Sequence, residues 1–288
     1  MSCYRLAGQE FHFPCPVLEL GPFEITLTQP GTAEQAVPFV PHLFLGNKLI
    51  SRTLGWVAGA QRQVEVLDSS QGLLLKTAGC NDFLVAPHGD TITKIGSQGE
   101  FGPLDRQVII GPALVLALAL RGTWCLHASA VIYNENLLVF LGESGQGKSS
   151  LAASLAVQAP WRLAADDILP VTMGKEDLIA WPHFPQLKLP LDAQPAPALP
   201  EQIPVRSVCI LTDVNEDAQP ALELLPAGQA VEALLSHTAG TRLFPPPLLA
   251  QHLAFCSAAA SRLPFYQLAY PHRWESLPEI RNLLEGTC

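Results

Sequence analysis

Charge is scarce in this 288-residue sequence: 15% of its residues are Asp, Glu, Lys or Arg, and together they leave a formal net charge of −9. Nowhere do Lys and Arg gather into a basic run. Neutralising a phosphate backbone needs such clusters, so nucleic acid is not an expected partner. Paired cysteine motifs are also missing. Cys3, Cys15, Cys80, Cys125, Cys209, Cys256 and Cys288 stand singly, with no C-x-x-C and no His/Cys group at zinc-ligand spacing, as in a reduced, cytoplasmic protein. The most apolar stretch, 108–120, falls short of the about 20 residues that span a bilayer, so it reads as a buried helix and no membrane is expected. The opening MSCYRLAGQEFHF has neither the basic start nor the apolar core of a signal peptide. No internal repeat is present. What remains, at 48% hydrophobic, is the composition of a compact globular protein long enough for two domains.

Residues 1–104 read as a small β-rich domain. The runs 23–28, 63–68, 72–78 and 82–87 are short, β-branched or aromatic, and separated by turn residues. His12, His42 and His88 stand alone among them. The polar, glycine-bearing stretch 96–107 marks a junction, which predicts a second domain over 105–288.

The second domain is organised around LLVFLGESGQGKSS (137–150), where an apolar strand stops at a glycine-rich turn ending in Lys148-Ser149. The spacing fits G-x-x-x-x-G-K-[ST]. Gly142, Gly145 and Gly147 let the backbone turn successive N–H groups inward toward phosphate oxygens. Lys148 adds a mobile cation, Ser149 supplies a hydroxyl suited to Mg²⁺, and the helix expected after it points its positive end at the anion. Gly142, Glu143, Ser144, Gly145, Gln146, Gly147, Lys148, Ser149 and Ser150 are therefore the candidate nucleotide-binding residues. Upstream, 126–133 and 137–141 read as strands joined by the Asn134-Glu135-Asn136 turn. Downstream, 162–171 reads as an apolar strand, next to the loop strand, with Asp166 and Asp167 at its end. Adjacent carboxylates are costly unless a cation or proton offsets them, and a phosphoryl-transfer site needs carboxylates near its metal and nucleophile. The proline-rich stretch 182–204 excludes a long helix or central strand, and its Lys188 is a candidate phosphate contact. A strand is expected over 205–214, helices over 228–240 and 248–263 with a break at Pro245–Pro247, a last strand over 265–271 and a closing helix over 275–286.

The run 126–171 resembles the catalytic core of bacterial HPr serine kinase/phosphorylase and the broader HPr-kinase-like proteins, which place a histidine on the strand before the loop and Ala-Asp-Asp on the strand after it. PQLKL (185–189) is also similar to these relatives. The resemblance implies an α/β fold, a P-loop HPr-kinase-like catalytic domain beside a smaller β-rich one, using ATP and Mg²⁺. It implies that Asp167 is the general base, that Asp166 and Ser149 lie at the metal, and that His127 sits beside the active carboxylate and the transferring phosphate. Two departures stand out: Ser150 replaces the Glu that commonly follows Lys-Ser, and the family's downstream glycine-and-arginine signature has no copy here. Both argue against HPr itself as acceptor. Some relatives act in peptide-tailoring pathways on a serine of a precursor peptide, and an acceptor of that kind is expected.

The expectation is thus an ATP- and Mg²⁺-dependent kinase for a hydroxyl, with a peptide or small-protein acceptor as partner and a homo-oligomer left open. The alternative is a nucleotide-binding regulatory or scaffold protein, which would need the loop but not His127, Asp166 and Asp167. A motor-type ATPase is disfavoured, since no LSGGQ-like second signature and no evident trans-acting arginine are present.

Overall fold

The computed structural model describes residues 2–13, 47–57, 59–95, 101–185 and 199–287. Contacts divide the chain into two compact units, Met1–Thr123 with Gly240–Leu249, and Trp124–Ala239 with Ala250–Cys288. The strand expected over 23–28 and Lys188 of the proline-rich stretch lie outside the described residues.

In the first unit a hairpin of β1 (Ser2–Leu6) and β2 (Gln9–Phe13) accompanies a five-stranded antiparallel sheet in sequential order. Its strands are β3 (Lys48–Val57), β4 (Ala60–Ser69), β5 (Gly72–Thr77), β6 (Asp82–Val85) and β7 (Ile92–Ile95). The expected runs 63–68, 72–78 and 82–87 thus fall on β4, β5 and β6. His12, isolated in sequence, lies opposite Cys3 in the hairpin.

The buried helix begins earlier than expected. α1 (Pro103–Val108) leads through a π-turn at Ile109–Ala113 into α2 (Leu114–Leu120). Pro103 suits a first turn, where its missing N–H costs nothing. Asp105 ties that turn down: its carboxylate accepts from the Gly102 N–H at 3.1 Å and from Asn81 Nδ2 at 2.7 Å, and lies 3.7 Å from Lys94 Nζ. Pro112 lacks the donor that an α-helix needs, and the irregular backbone falls beside it at Gly111. By length and composition Pro103–Leu120 is apolar enough to cross a membrane, and most of it is buried. The sequence assigned this helix to the second domain, but by contact it groups with the first unit. Sequence polarity at 96–107 marks a loop; packing decides which core the next helix joins. Gly89, at φ +69°, lies against the Ala117 carbonyl, where a side chain would collide.

The second unit holds a seven-stranded mixed sheet in the order β11-β10-β8-β9-β12-β14-β13. Its strands are β8 (Trp124–Tyr133), β9 (Asn136–Leu141), β10 (Arg162–Met173), β11 (Leu178–Ala180), β12 (Ile203–Asp213), β13 (Ala221–Leu224) and β14 (Phe265–Tyr270). β9 runs antiparallel to β8 and parallel to β12, and every side chain from Leu137 to Leu141 is buried. Such a continuous apolar run is the mark of a strand covered on both faces. The β8–β9 turn has φ +46° at Asn134 and +67° at Glu135, the left-handed pair that a two-residue hairpin requires. β11 bonds both to β10 and to the start of β12, closing β10, β8, β9, β12 and β11 into a ring.

Helices α3 (Lys148–Ala156) and α6 (Leu277–Glu285) cover one sheet face. Leu151, Leu155, Ile280 and Leu284 pack with Val131, Phe140 and Leu211. α4 (Ala227–His237) and α5 (Pro246–Arg262) follow the expected helical runs. The break at Pro245–Pro247 is present, although Pro246 and Pro247 form the first turn of α5, a position that tolerates them.

A buried polar contact joins these two helices. His252 Nε2 lies 2.9 Å from Thr238 Oγ1, whose hydroxyl donates to the Leu234 carbonyl, and the Trp124 ring covers the imidazole with centroids 4.7 Å apart. Because the Thr238 proton is committed, Nε2 carries the hydrogen and donates. Burial pushes the His252 imidazole down to about 4. Unfolded, it takes a proton near pH 6.5. Stability from the neutral ring is therefore complete above about pH 6.5 and is lost as pH falls toward 4, because only the unfolded chain gains the proton. The thermal midpoint should drop across that window and the slope should flatten in His252→Gln. An unchanged slope in that variant would assign the titration to another group.

Candidate functional site

At the end of β9 the chain enters the loop Gly142–Gly147 and then α3. Gly142 has φ +151°, Gly145 +95° and Gly147 +80°, all positive. Gly147 is the N-cap of α3, and a Cβ there would lie 3.0 Å from the Tyr270 hydroxyl and 3.6 Å from His272 Cε1. The left-handed conformation favours glycine at that position, and a side chain would in addition crowd the Tyr270 hydroxyl. Gln146 braces the turn, its Oε1 accepting from the Glu143 N–H at 2.6 Å. Lys148 is nearly buried, and its ammonium donates to the carbonyls of Gly142 at 2.7 Å and Glu143 at 3.0 Å.

Beside the loop lies a cleft lined by His127, Ser129, Ser144, Gly145, Gly147, Lys148, Ser149, Ser150, Asp166 and Asp167. The cleft therefore gathers the expected histidine, both aspartates and most of the loop. Gly142, Glu143 and Gln146 belong to the loop's backing rather than to this lining.

The aspartates are not at a strand end, nor is their strand next to that of the loop. They occupy the middle of β10, and β8 lies between β10 and β9. The histidine strand is thus the bridge between the loop strand and the carboxylate strand. Asp166 pairs with Ser129 across β8, and the Ser129 hydroxyl donates to Asp166 Oδ1 at 2.6 Å. Successive strand residues face opposite ways, so Asp167 should turn from the cleft. Instead its φ is +134°, which breaks the alternation and brings Oδ1 to 3.5 Å from His127 Nε2. A non-glycine residue in this region stores about 1–3 kcal/mol of strain, and such residues cluster at functional sites.

Four residues around the loop escaped the sequence reading: His237, Asp213, Tyr270 and His272. His237, in the last turn of α4, lies within electrostatic reach of Glu143, Lys148 and His127. Burial chiefly pushes its imidazole below the ordinary value; Lys148 and His127 act in the same direction and Glu143 opposes them. Asp213, the last residue of β12, sits opposite Tyr270 in the parallel ladder and lies 3.1 Å from His272 Nε2. Burial, followed by the Asp213 carboxylate, pushes the Tyr270 phenol up to about 12. The one available sequence signal was an aspartate ending an apolar strand at 208–213; a lone histidine at a helix end offers none.

The donor chemistry suits an anion over a hard cation: loop amides and a lysine on one side, and a serine hydroxyl with carboxylate oxygens on the other. No protein-family model matches the sequence, and no curated protein does. Among solved structures the chain is similar to the HPr(Ser) kinase/phosphatase from Coxiella burnetii, at 13% identity and a TM-score of 0.32, with 56% of this chain and 95% of that one covered.

The left-handed cap at Gly147 yields a stability prediction. Gly147→Ala should lower unfolding free energy by about 1–2 kcal/mol, read as a lower urea midpoint at unchanged slope. Gly228→Ala, in α4 with open space around it, should lose nothing. Equal midpoints for Gly147→Ala and the parent would show that Gly147 does not need its left-handed backbone.

Proposed function

We propose that the protein is a cytoplasmic, ATP- and Mg²⁺-dependent P-loop kinase that phosphorylates a hydroxyl, foremost a serine of a peptide or small protein. The observation that carries this reading is the convergence on one cleft of Lys148 and Ser149 with His127, Asp166 and Asp167. A loop that only binds nucleotide has no use for a strained carboxylate aimed at a histidine. Phosphoryl transfer asks a protein for positioning, charge neutralisation and a base beside the nucleophile, and these residues can supply each.

In this reading the loop amides and the start of α3 bind the phosphates. Lys148, now held by two loop carbonyls, is the cation nearest the anion. Ser149 and Asp166 would hold Mg²⁺, which offsets phosphate charge when bound. The Ser129 hydroxyl donates to one oxygen of Asp166 and so fixes that carboxylate's orientation. Asp167 accepts the proton of the incoming hydroxyl, and His127 at 3.5 Å orients it and limits its contact with water.

The test combines fluorescent-nucleotide binding with transfer from γ-labelled ATP to a serine-bearing peptide library. Lys148→Ala should lose Mg²⁺-dependent nucleotide binding. Asp167→Asn should bind as the parent does while transfer falls about 10²–10⁴-fold, the usual worth of a positioned base. Transfer at the parental rate in Asp167→Asn would remove the assigned base. Nucleotide binding with no labelled product from any peptide would favour a regulatory or scaffold protein.

A further inference from the structure

Far from the loop in sequence, the β1–β2 hairpin carries a second group of reactive side chains. In its antiparallel register Cys3 faces His12 and Arg5 faces Glu10. Strand alternation therefore puts Cys3, Arg5, Glu10 and His12 on one face. The other face presents Tyr4, Leu6, Phe11 and Phe13, all buried. Slipping the register by one residue would bury the polar set in place of four large apolar groups, so the core fixes which face the thiol and imidazole share. On that face a ligand atom of each of Cys3, Glu10 and His12 lies within 4.8 Å of the other two.

We propose that this hairpin face binds one Zn²⁺ ion through the Cys3 thiolate, the Glu10 carboxylate and the His12 imidazole, with a water molecule in the fourth position. The mixed sulfur, nitrogen and oxygen set suits borderline-soft zinc and not the hard ions Mg²⁺ or Ca²⁺, which take oxygen. Bonds of about 2.0–2.3 Å in a tetrahedron separate ligand atoms by roughly 3.3–3.8 Å. From a present spacing within 4.8 Å, closing onto the ion needs a contraction of at most about 1–1.5 Å per pair. Binding exchanges the Cys3 S–H bond for an S–Zn bond and releases that proton to solvent. Burial and then the Glu10 carboxylate hold the Cys3 thiol above its ordinary pKa, a penalty on the thiolate that a divalent cation offsets. Glu10 must give up its ion pair with Arg5, 3.3 Å apart, but both side chains are about half exposed and such pairs contribute little. The exposed Glu10 also gives the ion an entry path.

The ion has a mechanical consequence. A two-stranded hairpin is marginal alone. β2 is secured at His12, whose N–H donates to the Asp90 carbonyl at 3.2 Å and which bridges Thr91. Zinc on Cys3 and His12 would extend that anchorage to β1.

Full-length protein stripped of metal and then dialysed against limiting ZnCl₂ should retain one zinc per chain by elemental analysis, and its thermal midpoint should rise by several degrees. Co²⁺ in place of zinc should show thiolate-to-metal absorption. Cys3→Ser and His12→Ala should each weaken zinc binding by at least about 100-fold, since even outer-shell partners of a metal are worth 10–100-fold. Glu10→Gln, at an exposed position that cannot disturb the core, should weaken binding and raise no midpoint with zinc. Asp166→Asn should retain the zinc, which separates this site from the cation proposed at the loop. Absence of zinc from the parent, retention by either Cys3→Ser or His12→Ala, or unchanged affinity in Glu10→Gln would overturn the site.

Discussion

Two neighbouring residues of a β-strand point to opposite sides of the sheet, and the cleft of this protein depends on a breach of that rule. Asp166 obeys it and meets Ser129 across the ladder. Asp167 would by the same rule face away, and a backbone angle of φ +134° turns it back toward His127. Two carboxylates thereby reach one cleft from consecutive positions. Their mutual repulsion adds to the backbone strain, and only a surrounding structure that over-determines both positions can hold them. That surrounding is the ladder between β8 and β10, which continues on both sides of the pair from Arg162 to Val171.

The loop answers the carboxylates with opposite charge. Lys148 is almost wholly buried, yet its ammonium is satisfied by carbonyls of its own loop. A buried ammonium that donates to neutral carbonyls leaves its charge for an incoming anion. His127, His237 and, on the Tyr270 side of Gly147, the His272–Asp213 pair surround the same loop from separate elements. Titratable groups thus approach the Gly142–Gly147 loop from β8, α4 and the segment after β14.

Much of this was legible locally. The strand before the loop, the glycines, Lys148-Ser149 and the helix after them form one contiguous stretch, and each residue's role follows from backbone conformation or charge within a few positions. The β8–β9 hairpin was readable for the same reason, since Asn134 and Glu135 tolerate the left-handed turn. Less was visible where partners are distant. The aspartates looked like a strand end because Asp commonly closes an apolar run; only the β8–β10 ladder carries the pairing through them, from Arg162 to Val171. The helix over 108–120 was recognisable as buried, but neither its earlier start at Pro103 nor which core would bury it could be read. His237, Asp213 and His272 carry no motif, because the loop they surround is reached only by sheet order and helix packing.

The sequence by itself determined the glycine loop Gly142–Gly147, the apolar strand that feeds it, the helix that follows it and the identity of the charged residues at hand. Those features rest on local physics: positive φ at glycine, a lysine beside it and apolar Leu151, Ala152 and Leu155 at helical spacing. Tertiary structure alone decided that β8 separates the loop strand from the carboxylate strand, that Asp167 turns back into the cleft, and that Cys3 meets His12. Register and strand order are settled by which apolar faces can be buried together, and burial is a property of the folded chain and not of any segment within it.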